Sequence, residues 1–138
     1  MASIRINERE IPLAFTSLEM LTVQKEIGPM TRALKMATGR NPDDDEDTSW
    51  YSGAQHIETA AKMIRILGNA GLDIAGEEQD LTDKMILRAM KPKDLLMAMN
   101  ECMNAITEGM ASEIPEEKEK GPVDVTLEMM KKKEVKES

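Results

Sequence analysis

The sequence predicts a mainly α-helical protein, α+β by strict count: an N-terminal β-hairpin, a compact bundle of about four to five helices, and a disordered C-terminal tail. Three observations predict it. Apolar residues alternate at period two between Ile4 and Phe15; between Ser17 and Met110 they recur in several runs at helical spacing; beyond Ala111 the periodicity stops and charge takes over. The division that follows is a hairpin plus helical domain over 1–111 and a flexible charged tail over 112–138.

Ile4 and Ile6 supply the apolar face of one hairpin arm, and Ile11, Leu13 and Phe15 that of the other, with the polar stretch Asn7-Glu8-Arg9-Glu10 between them. The period then changes. Thr16-Ser17-Leu18-Glu19 fits a capping box, in which the Thr hydroxyl and the Glu carboxylate each satisfy an amide that the first helical turn leaves free. Gly28-Pro29 ends that helix. Met30, Ala33, Leu34 and Ala37 predict a short second helix closed by Gly39.

Residues 40–49 carry carboxylates that repel one another and no apolar side chain to bury, which predicts a flexible polar loop. Ser52-Gly53-Ala54-Gln55 is a second capping-box candidate. Behind it, Ile57, Ala60, Ala61, Ile64 and Leu67 form the stripe of a helix of about four turns, bounded by Gly68 and Gly71, with a connection from Leu72 to Asp80. Thr82 caps the next, short helix, with Leu81 and Ile86 placed as a hydrophobic staple. Pro92 suits the first position of a last helix whose apolar face runs through Leu95, Leu96, Met99, Cys102, Met103, Ile106 and Met110. In the tail, Val123, Val125, Leu127, Met129 and Met130 are too few to fold alone, though a partner could order them.

The formal charge of −8 argues against a nucleic-acid partner, because affinity for phosphate backbones comes chiefly from Lys and Arg. Much of it is local, in Asp43, Asp44, Asp45, Glu46 and Asp47. One cysteine, Cys102, permits no intramolecular disulfide and suits a reducing cytosol. The absence of a signal peptide or long apolar run predicts a soluble intracellular protein without a membrane partner. Phe15, Trp50 and Tyr51 are the only aromatic residues against 13 Met, so methionine is expected to fill much of a malleable core.

The acidic run invites a calcium reading, but the spacing is wrong: counted from Asp43, the sixth residue is Thr48 rather than Gly and the twelfth is Ala54 rather than Glu. His56, the single histidine, reads as a surface residue beside Gln55 and Glu58, without the positioned partner that a general base requires. Cys102 falls on the apolar stripe of the last helix and reads as a small core residue. With no nucleophile grouping, phosphate-binding glycine loop or zinc spacing, neither catalysis, a cofactor nor a metal is expected. Met85, Met90, Met97, Met99, Met103 and Met110 admit two readings, core packing or an adaptable binding face. Met97 lies off the main stripe, which makes the last helix apolar over a wider arc than one contact needs.

The segment from Ile4 to Gly28, with Ile4-x-Ile6-Asn7, then Ile11-x-Leu13-x-Phe15, then a helix ending Glu26-Ile27-Gly28, resembles the opening of phage tail assembly chaperones, and the likeness extends to about Met110. These are small, mostly helical proteins of long-tailed bacteriophages and gene transfer agents. Where many relatives have Asn-Gly in the turn this chain has Asn7-Glu8, which predicts a longer loop through Arg9. The resemblance implies a protein of the bacterial host cytosol, absent from the mature virion. It would bind the tape measure protein, keep it soluble and help recruit tail tube protein. It also implies possible self-association and a longer frameshifted form; Lys131-Lys132-Lys133 is compatible with an A-rich slippery site. Met97, Met103 and Met110 are the expected contact residues. The competing class is a small intracellular helical regulatory or adaptor protein that binds an amphipathic partner segment.

Overall fold

The computed structural model describes residues 2–111, and the expected tail over 112–138 lies outside them. The chain enters as an antiparallel pair, β1 (Ser3–Ile6) and β2 (Arg9–Pro12), with Ile4 opposite Ile11 and Ile6 opposite Arg9. The turn is shorter than expected. Asn7 and Glu8 alone make it, at φ of 51° and 67°, so both adopt the left-handed conformation of a primed two-residue turn and Arg9 belongs to the strand. Asn takes that conformation readily and Glu does not; the register set by buried Ile4, Ile6 and Ile11 overrides the local preference.

Helix α1 (Ser17–Glu26) starts from the expected box: Thr16 Oγ1 accepts from the Leu18 N–H, and the Thr16 N–H donates to Glu19 Oε1 at 2.8 Å. Gly28, at φ 148°, ends it, and α2 (Met30–Ala37) follows Pro29. The acidic stretch, expected to be flexible, is tied at several points. Arg32 holds Asp43 at 2.9 Å and Lys35 holds Asp45 at 3.1 Å, while Asp47 accepts from Asn41 and caps a 3₁₀ turn at Thr48–Trp50.

The central element is α3 (Ala54–Ile74), against which β2, α1, α2 and α4 (Asp83–Ala89) all pack. It departs from expectation at both ends. Its N-cap is Gly53, and no side chain caps it; Ser52, at φ 63°, donates its N–H to His56 Nδ1 at 2.9 Å instead. At the other end the helix runs through Gly68 and Gly71. These glycines mark close approach: a Cβ on Gly71 would sit 1.9 Å from the Pro12 carbonyl oxygen, and one on Gly68 would sit 2.5 Å from Leu81 Cδ1. Bare backbone at these two positions lets the hairpin lie directly on the helix, and the Ala14 N–H donates to the Leu67 carbonyl at 3.1 Å.

That docking matters because a lone two-stranded hairpin is marginal in water, whereas each fully buried Ile, Leu or Phe contributes about 1.5–3 kcal/mol. Ile4, Ile6, Ile11, Leu13 and Phe15 are all buried. Thr82 caps α4 by accepting from the Met85 N–H, and Leu81 and Ile86 are buried on either side of the cap as the staple requires. Asn69 fixes the preceding connection, exchanging two hydrogen bonds with the Leu81 backbone. Arg65 joins three helices, donating from Nη2 to Glu26 at 2.5 Å and from Nε to Asp83 at 2.6 Å.

Helix α5 (Pro92–Met110) begins at its proline and gives Leu95, Ala98, Met99, Cys102, Ala105 and Ile106 to the core. The first compact unit ends at Ile106; the second, described over 107–111, holds the last turn of α5. Among the described residues the core is aliphatic more than methionine-filled. Of its methionines only Met63, Met90 and Met99 are buried, beside Ile, Leu, Val and many Ala.

Candidate partner-binding surface

The ladder decides which backbone groups of the hairpin stay open. Leu13 donates to the Ala2 carbonyl and the two-residue turn closes between Ile6 and Arg9, so Ala2, Ile4 and Ile6 point their N–H and C=O groups at β2. Ser3 and Arg5 point theirs away. On the other strand, Pro12 faces away from β1, where its missing N–H costs no ladder bond, and α3 covers that edge at Pro12 through the contact with Gly71. The outer edge of β1 is open: no backbone hydrogen bond between loops and elements of the described residues reaches Ser3 or Arg5.

A groove of about 430 Å³ runs along that edge. Its far wall is α5 and the end of α4, with Met97, Ala98, Ala89 and Met90 as the apolar part and Glu8, Asp94 and Glu101 as acidic groups. Met97 is 64% exposed, the most exposed methionine among the described residues. Asp94, Met97 and Glu101 follow one another along one line of α5, within about 60° of arc at 100° per residue. Asp94 accepts from the Lys91 N–H at 3.2 Å, whereas Glu8 and Glu101 form no ion pair among the described residues.

The three methionines expected to make contact are not brought together. Met97 lines the groove, Met103 packs half-buried against the core, and Met110 is 47% exposed on the last turn of α5. Six residues after Met97, Met103 lies about 120° away around the helix, and Met110 falls within about 20° of Met103. Ser3, Arg5, Glu8, Asp94 and Glu101 were missed. The available signal was Pro12, which in an alternating strand marks the edge that does not need pairing and so points to the other one.

His56 is not the expected surface residue. It is buried, its ring tilted 39° against that of Tyr51 with centroids 5.5 Å apart, and covered by Gly39, where a Cβ would come within 3.0 Å of the imidazole. Burial pushes its pKa down, opposed in part by the Ala37 backbone. Cys102 is fully buried, and burial pushes its thiol up to about 12, so it carries no thiolate near neutrality. Among the described residues no group of three or more His, Cys, Asp or Glu converges where a metal ion could sit, and no helix is long and apolar enough to cross a membrane. In comparisons with known protein families, curated proteins and solved structures, the chain matches none.

Proposed function

We propose that this protein is a tail assembly chaperone of the kind made by long-tailed bacteriophages, which binds the tape measure protein, keeps it soluble and helps recruit tail tube subunits. The observation that carries this reading is the order of the first elements: a tight hairpin that leads through the Thr16–Glu19 capping box into a helix ended at Gly28. Such a chaperone must shield apolar surface reversibly, and an exposed, unbranched and polarizable side chain suits a contact that forms and is later given up. Met97 supplies one, with Met110 as a further contact and Met103 half-available beside the core.

In this reading the protein acts in the host cytosol, is absent from the finished virion, and works by binding rather than catalysis. Its one histidine and one cysteine support the last point, being committed to the interior. A longer frameshifted product belongs to the same reading, and the gene sequence tests it through a slippery heptamer and an overlapping frame. The decisive experiment is co-expression with the tape measure protein encoded beside it. Co-purification and an increased soluble fraction of that protein, both reduced by Met97→Glu, are the expected result; an insoluble client that never co-purifies overturns the reading. The same groove would serve an adaptor for an amphipathic segment, and a gene neighbourhood without tail genes would favour that second reading.

A further inference from the structure

We infer that the open edge of β1 takes up an extended polypeptide segment as a third strand of the hairpin, and that the segment carries an apolar side chain flanked on the same face by basic ones. The inference goes beyond the chaperone reading, since it specifies how a segment is held and needs no particular client. Its first support is the backbone. Ser3 and Arg5 each offer an outward N–H and C=O, the row of groups that an added strand completes.

The second support is the facing wall. A strand laid along β1 presents alternate side chains to α5 about every 7 Å. There it meets Asp94, Met97 and Glu101 in line, a carboxylate, an apolar contact and a second carboxylate. Glu8 adds a third negative group at the turn, while the Arg5 guanidinium is engaged locally, with Glu10 at 3.9 Å and the Glu8 carbonyl at 3.3 Å. Lysine or arginine beside a valine-sized or leucine-sized residue complements that order. A helical segment fits less well, because it is about 10 Å across and its backbone groups are already paired internally, leaving Ser3 and Arg5 unanswered.

The test uses the full chain, isotope-labelled, titrated with two short peptides: Lys-Thr-Val-Thr-Lys and its charge-reversed counterpart Glu-Thr-Val-Thr-Glu. The lysine peptide is expected to shift the amide signals of Ser3, Arg5 and Met97 and to bind about tenfold or more tightly than the glutamate peptide. Arg5→Pro removes one outward N–H without touching the ladder to β2 and is expected to weaken binding by a similar factor, as is the uncharged Met97→Ser, whose exposed position leaves folding intact. Leu21→Ser, on the exposed face of α1, is expected to change nothing. Equal affinity for the two peptides, or a folded Arg5→Pro and a Met97→Ser that bind as the parent does, overturns the inference. So does slow amide exchange at Ser3 and Arg5 before any peptide is added: independent of concentration it means that residues of the same chain already fill the edge, and rising with concentration it means a second copy does.

Discussion

Gly68 and Gly71 lie one turn apart on α3 and face different kinds of neighbour. A methyl group at Gly71 meets the Pro12 backbone, which cannot move without lifting the hairpin, whereas one at Gly68 meets first the end of the Leu81 side chain and then Ile11 Cγ2 at 3.3 Å. Gly71→Ala is therefore expected to destabilise the fold by about 3 kcal/mol or more, and Gly68→Ala by clearly less, read as the shift in denaturant midpoint. His56 gives a pH prediction. Its folded pKa is depressed below the ordinary 6.5, so on acidification the unfolded chain binds the proton first. The stability it contributes is complete above about pH 6.5 and is lost as pH falls through the folded value; unfolding curves between neutral pH and pH 5 check this, and His56→Gln should flatten the dependence. The role of His56 was illegible in the sequence because its partners, Ser52, Tyr51 and Ala37, meet it only once the loop before α3 closes over the end of α2.

At the scale of elements, the parts specified by neighbours in the chain were readable and the parts specified by contact were not. The Thr16 and Thr82 caps, the stop at Gly28, the break at Pro29 and the start at Pro92 all follow from side chains acting within one turn of themselves. The length of α3 does not. Gly68 and Gly71 carry the same local signal whether they end a helix or admit a strand, and only the apposed Pro12 and Leu81 decide between the two. The turn at Asn7-Glu8 is the converse case, in which register overrides local preference. Replacing Glu8 by Gly removes a side chain from a residue at φ 67° and is expected to stabilise the hairpin by about 0.5–1 kcal/mol, measured by thermal unfolding. Thr16→Ala should act the other way, by about 1 kcal/mol, because it leaves the first turn of α1 without its side-chain acceptor.

At the largest scale, the buried apolar side chains of the first unit form one cluster among the described residues, so a buried probe reports on all of it. Cys102 is such a probe: with its thiol pushed up to about 12, labelling by thiol reagents at mildly alkaline pH should proceed only as fast as the fold opens, and should accelerate in Gly71→Ala. The candidate site was half legible at this scale. Met97 could be singled out because helical periodicity alone places it off the buried stripe, but the strand edge it faces is distant in sequence and becomes its neighbour only through the packing of the hairpin. One last consequence comes from the contact of Pro12 with Gly71. Because α3 covers β2 at Pro12, a chain that pairs with another through β1 finds that stretch of its other strand already occupied. The same contact that seats the hairpin therefore works against open-ended fibre growth, which would need both strands free along their length.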